Sequence, residues 1–295
     1  MPVSHAPVDT LPELRPRSSE PQVSDLLDSA SRYLRFRARL LSDRRFWRRV
    51  EWATWVSDRY RYVYLDTPKV ACTTIKLLLQ QLEGYPLPAD REDIHLRAKA
   101  NPSGQFVSTL TRSSLGRFRV RTAPVAPGPA PGYFWFCFVR NPYSRLLSAY
   151  RNKIVACHPD QAQDIAAITG VSGDRDAIAE AARSISFARF IEYVAAQRDA
   201  LRNAHWRSQS LLLLPTFFRY SFIGRIETFG SDMKYVLDCL GAPAAAREQL
   251  RHRENASTVH VREGRYTPEL AERVHEIYDE DFRQFKYSRD SWREP

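Results

Sequence analysis

Residues 62–82 read YVYLDTPKVACTTIKLLLQQL. The stretch opens on an aromatic and β-branched run, passes through a short polar loop holding Lys69, and continues with apolar residues at Ile75, Leu78, Leu79 and Leu82. That spacing, i, i+3, i+4, i+7, predicts a helix after a strand. A strand feeding through a tight loop into a helix presents loop amides and a helix N-terminus at the strand end, and such a terminus attracts anions. Lys69 adds a full charge there, and Thr73 and Thr74 add hydroxyl donors. The loop therefore reads as a phosphate cradle. A plain strand-to-helix turn with a solvated lysine would look the same from this loop alone.

The Walker pattern G-x-x-x-x-G-K-[ST] is absent. The loop holds no glycine, Pro68 stiffens the turn, and small Ala71 and Cys72 let the backbone approach an oxyanion. A second unit of the same design strengthens the cradle reading. Tyr133 to Val139 (YFWFCFV) is a continuous apolar run, short enough for a strand buried on both faces. It ends in Arg140, Asn141 and Pro142, where proline suits the first turn of a helix. The next segment, YSRLLSAYRNKI, puts Leu146, Leu147, Tyr150 and Ile154 on one helical face, with Ser148 two turns in. Arg140 thus stands at the carboxyl end of a strand, where open parallel sheets bind ligands. The pattern predicts an α/β fold with a P-loop-like central parallel sheet flanked by helices. Two anion-binding strand ends, each with one cation and hydroxyls, suit a ligand carrying two separate phosphate groups.

TPKVACTTIK resembles the 5'-phosphosulfate-binding loop, and FVRNPYSRLLSAYRNK the 3'-phosphate-binding segment, of sulfotransferases that use 3'-phosphoadenosine-5'-phosphosulfate (PAPS). The closer resemblance is to the carbohydrate sulfotransferase family containing the chondroitin 4-O and HNK-1 enzymes. HWRSQSLLL from His205, FIGRIETF from Phe222, YVLDCLG from Tyr235 and YTPELAERVHEIYDEDFRQFKY near the end agree with it. The resemblance implies in-line transfer of a sulfuryl group from PAPS to a hydroxyl on a glycan or glycolipid, leaving 3',5'-adenosine bisphosphate (PAP). Lys69 would contact the 5'-phosphosulfate and assist the leaving group, with Val70, Ala71, Cys72, Thr73 and Thr74 around the 5'-phosphate. Arg140 and Ser148 would hold the 3'-phosphate. His95, a histidine between the two motifs as in the relatives, would deprotonate the acceptor, and His205 is the alternative base. Histidine suits that role because its ordinary pKa of about 6.5 lets it take a proton near neutrality. Ala71 stands where the family commonly has glycine, a change tolerated if φ there is below zero.

A chain of 295 residues, 43% hydrophobic, can bury a sizeable core as one large domain with appendages. The organisation expected is a disordered tail over residues 1–22, a basic helical segment over 23–59 and a sulfotransferase domain over 60–295. The tail is rich in proline and polar residues. Between Ser24 and about Trp55, leucines and aromatics lie among many arginines, a pattern that packs on a domain or lies on an anionic membrane. No run is long and apolar enough for a signal peptide or a bilayer span. The animal members of the family are anchored in the Golgi by such a span, so a cytoplasmic enzyme is expected here. The net charge of +10 implies an acidic partner, of which the nucleotide is one. Nucleic acid is not expected as a partner.

Residues 122–132, TAPVAPGPAPG, read as a loop, and Phe222 to Ile226 as a third short strand ending near Glu227. Gly241 marks a helix C-cap, and Thr267 with Pro268 a helix start. Cys72, Cys137, Cys157 and Cys239 show no ligand spacing, so no metal is expected. Cys72 at a helix N-terminus has the position of an activated thiolate, although the motif treats it as a small loop residue. The rival readings are a metal-dependent nucleotide kinase and a non-catalytic polyanion-binding protein.

Overall fold

The computed structural model describes residues 53–57, 59–86, 133–215, 218–244, 246 and 266–293. Four strands form one sheet in chain order: β1 (Thr54–Ser57), β2 (Tyr62–Leu65), β3 (Phe134–Val139) and β4 (Phe222–Arg225). β1 runs antiparallel to β2, whereas β2, β3 and β4 are mutually parallel. The predicted α/β architecture is observed, with an antiparallel strand added at one edge.

β1 corrects one local expectation. Trp55 closes a stretch read as helix, yet it sits in a strand paired with Tyr64. TWVS alternates its side chains, Val56 going to one face of the sheet and Trp55 to the other. That period of two satisfies the ladder where a helix would leave the β2 edge unpaired. The ladder also places residues 54–57 in the sheet, upstream of the boundary expected at 60. The tail, the remainder of the basic segment and the 122–132 loop lie outside the described residues.

Both faces of the sheet are covered, as a parallel sheet requires. Tyr62, Tyr64, Phe136 and Phe138 point to one side and pack against α1 (Cys72–Leu82) and α2 (Phe229–Cys239). Val63, Leu65, Trp135, Cys137 and Val139 point to the other, against α3 (Gln209–Leu213) and α4 (Asp279–Phe285). The helical face read from the sequence in α1 is the buried one, with Ile75, Leu78, Leu79 and Leu82 at most 5% exposed. Each fully buried phenylalanine of β3 contributes roughly 1.5–3 kcal/mol through removal from water. Gly224 on β4 makes room for one of them, because a Cβ there would stand 2.5 Å from Phe138 Cε1.

A second, helical core stands beside the sheet. It is built from α5 (Pro142–Ala149), α6 (Ala162–Thr169), α7 (Arg175–Arg183), α8 (Phe187–Ala196) and α9 (Pro268–Ile277), with Trp206 fully buried among them. Asn141 caps α5 by accepting from the Tyr143 amide at 3.0 Å, and Thr267 caps α9 by accepting from Leu270 at 3.3 Å. Gly241 takes φ 62 just beyond α2, the left-handed turn expected of it. One feature has no sequence signal. α5 continues into a π-helical turn, Tyr150–Val155, whose wider winding resets which residues face the helical core, Ile154 among them.

Candidate active site

The two motifs meet at the carboxyl ends of neighbouring strands. β2 and β3 pair in parallel with Leu65 opposite Cys137, so the loop before α1 and the turn into α5 leave the sheet side by side. The Arg140 guanidinium then crosses between them. It donates from Nε to Ser144 Oγ at 2.9 Å and from one terminal nitrogen to the Lys69 carbonyl at 3.3 Å.

The Lys69 loop is a tight one. Lys69 (φ 71) and Ala71 (φ 55) are both left-handed, so the condition of φ below zero at Ala71 is not met. A non-glycine residue there costs about 1–2 kcal/mol, and two such residues in one loop mark a site where backbone shape outweighs local stability. The winding turns the chain sharply into α1. A helix leaves its first-turn N–H groups without intrahelical partners. Here Ala71 offers no side-chain cap and the first turn carries no acid, so the positive end of the helix dipole suits an anion. Asp66, the nearby carboxylate, forms an ion pair with Lys76 and accepts from Tyr64 Oη at 3.3 Å, which neutralises it. Thr67 Oγ1 is buried in the same loop without a hydrogen-bond partner among the described residues.

The electrostatics identify who shares this space. Burial lowers the Lys69 pKa to about 8; Cys72 opposes the shift, while Lys153, Arg140 and Arg145 add to it. His205 is pushed down to about 3, first by burial and then by Lys153, Lys69, Arg145 and His158. Its ring is neutral at physiological pH, and its Nδ1 lies 2.8 Å from Asn203 Oδ1. When Nδ1 carries the proton, that contact leaves Nε2 as the proton acceptor. Lys69, Lys153, Arg140 and Arg145 thus make one concentrated positive field around the neutral His205 ring, suited to a polyanion. Cys72 goes the other way. Burial, and then the charge of Asp66, push its thiol up to about 11, so it is protonated at neutral pH and does not serve as a thiolate nucleophile.

The candidate residues therefore separate. Lys69, Val70, Ala71, Cys72, Thr73 and Thr74 form the loop and first turn of α1, Arg140 meets them, and His205 is coupled to Lys69. Ser148 lies half-buried on α5, one turn beyond Ser144, which accepts from Arg140, hence on the same side of the helix as that contact. His95 lies outside the described residues. Glu227 accepts from the Asn141 amide at 2.8 Å and from Tyr287 Oη at 3.0 Å, and its charge favours the Arg140 guanidinium.

Three residues escaped sequence reading. Arg145 is 2% exposed and gives its guanidinium to three carbonyls: Pro68 at 3.1 Å, Arg207 at 2.8 Å and Ala204 at 3.1 Å. Its acceptors are backbone atoms 59 to 77 positions away, which no local pattern reveals. Lys153 enters the site from the π-helical turn, which a regular helix would not predict. Gln209 contacts the Arg140 backbone.

A mostly parallel sheet with two cationic strand ends, one leading into a helix without a side-chain cap, is a geometry suited to a ligand with two separated anionic groups. The comparison with known proteins gives the family. The Sulfotransferase family matches residues 52–288, and the chain belongs to it. The chain is 31% identical to carbohydrate sulfotransferase 14 of Homo sapiens over 192 residues, covering 65% of this chain and 47% of that protein. It is 27% identical to carbohydrate sulfotransferase 11 of Danio rerio over 243 residues, with 79% and 66% covered. With carbohydrate sulfotransferase 8 of Mus musculus it shares 28% over 247 residues, with 79% and 56% covered. The chain spans about half the length of the first of these relatives. No solved structure matches it. The family implies PAPS as sulfate donor, and the cationic, uncapped cradle fits a phosphosulfate. Among the described residues there is no cluster of metal-ligating side chains, and no helix long and apolar enough to cross a membrane.

Proposed function

We propose that this protein transfers a sulfuryl group from PAPS to a hydroxyl of a carbohydrate, on a glycan or glycolipid. The observation that carries the reading is the contact of Arg140 with the Lys69 carbonyl, beside a neutral histidine, His205. It brings the two anion sites side by side, as a nucleotide with 3'- and 5'-anionic groups would need, with a proton acceptor next to them.

The donor supplies an activated sulfuryl group. Arg140 and Ser148 bind the 3'-phosphate, Arg140 as a planar charged fork. The first turn of α1 and Lys69 hold the 5' end, and Lys69 stabilises the negative charge that develops on the departing oxygen. His205 accepts the acceptor hydroxyl's proton; His95 is the other histidine assigned to this step. A ring at about 3 is a weak base in the ligand-free protein. The incoming polyanion offsets the surrounding cations and raises the ring's proton affinity, so the base strengthens as the donor binds.

Calorimetry with PAP and adenosine 5'-monophosphate, together with transfer of radiolabelled sulfate from PAPS to desulfated chondroitin and other glycans, tests this. Strong preference for the bisphosphate, weakened by a few kcal/mol in Arg140→Ala, is expected, because a charge-assisted contact is lost. Equal binding of the two nucleotides overturns it. Magnesium-dependent ATP binding would establish a kinase instead. Steeply salt-dependent heparin binding without nucleotide preference would establish a polyanion-binding protein.

A further inference from the structure

The backbone of Arg140 lies just past the sheet. The ladder to β4 ends at Val139 and the ladder to β2 at Cys137, so neither neighbour supplies a partner for Arg140. The side chain of Gln209, itself 0% exposed, takes that place. Its Oε1 accepts from the Arg140 amide at 2.9 Å and its Nε2 donates to the Arg140 carbonyl at 2.8 Å. The pair of bonds imitates a one-residue strand. The next amide, Asn141, donates to the Glu227 carboxylate at 2.8 Å. With both amides engaged, recognition of a 3'-phosphate at this strand end falls to side chains, Arg140 foremost.

Gln209 is in turn fixed from two directions. Asp281 on α4 accepts from the Gln209 amide at 2.8 Å and the Ser210 amide at 2.7 Å, capping α3. Arg145, four residues into α5, binds the carbonyls of Ala204 and Arg207 in the segment that leads to Gln209. Segments 140–145 and 204–210 are therefore strapped reciprocally, each giving a side chain to the other's backbone.

We propose that Gln209 is the positioning residue for 3'-phosphate recognition, holding Arg140 in register through a paired amide contact to its backbone. This rests on the sulfotransferase reading of Arg140. Gln209→Met keeps length and volume but removes both bonds, together with a long Nε2 contact to Asp281 at 3.5 Å, and leaves the Asp281 cap on the backbone of α3 intact. Gln209→Asn keeps the amide but shortens its reach by one methylene. Binding of PAP and of adenosine 5'-monophosphate is measured by calorimetry for both variants and the wild type. The expected result is a loss of about 20-fold for PAP, with the monophosphate within about threefold. A merely structural role moves both nucleotides together. That outcome, or an unchanged ratio in a wild type that prefers PAP, overturns the inference while the sulfotransferase reading stands. A wild type without preference overturns both. Circular dichroism confirms folding, and if Gln209→Met does not fold, Gln209→Asn decides.

Discussion

Lys69 provides the sharpest test of the site's electrostatics. Burial, with the neighbouring cations Lys153, Arg140 and Arg145, lowers its pKa to about 8 in the ligand-free protein. A bound polyanion favours the charged lysine, so the pKa rises on binding, and affinity is full below the free-state pKa and lost as pH climbs through it. Between about pH 7 and about pH 9 the charged fraction falls from about nine-tenths to about one-tenth, which weakens PAP binding about tenfold, or about 1.4 kcal/mol. His205 is neutral and the Cys72 thiol protonated across that window. Calorimetry with PAP across the window, on wild type and Lys69→Arg, reads the effect, because arginine stays charged throughout. A tenfold loss in the wild type and a flat profile in the variant are expected. If the wild type is flat, or the variant keeps the slope, Lys69 is not the group that titrates against the ligand.

Three further outcomes follow from the geometry. Ala71→Gly relieves the left-handed strain at φ 55 and should raise stability by about 1 kcal/mol in thermal or urea unfolding, with PAP affinity retained. Gly224→Ala drives a methyl into the Phe138 ring and should destabilise by about 1–3 kcal/mol, read by the same unfolding curves. His205 binds protons less well folded than unfolded, so its contribution to stability is present above about pH 6.5 and is lost as pH falls toward 3; His205→Gln should remove about 2 kcal/mol of the wild type's loss between about pH 6 and pH 4. An identical pH dependence in wild type and variant would show that the ring is not held neutral by its surroundings.

The legible parts of this protein were those encoded locally. β3 could be read because FWFCFV is apolar on both faces and stops at a helix-starting proline, and the α1 face because its four aliphatics recur at helical spacing. The two anion motifs were found for the same reason: each is a strand, a turn and a helix in one unbroken stretch. Trp55 was misread because a short strand with only four residues has too little period to compete with the basic, leucine-rich stretch before it. The φ of Ala71 was not legible because a β-carbon disfavours the left-handed region without forbidding it.

The sequence by itself determined the fold class, the family and which residues carry charge and hydroxyls at the strand ends. The tertiary structure decided how those charges act together. Arg145 reaches carbonyls on two distant segments, Gln209 completes the backbone pairing of Arg140, and Lys153 arrives through a π turn. The contacts of Arg145 and Gln209 are hydrogen bonds to backbone atoms, which every residue type offers alike, so no choice of partner side chain marks them in the chain. The pKa values of Lys69 and His205 depend on burial and on cations from several elements, and both exist only once the chain has closed around the site.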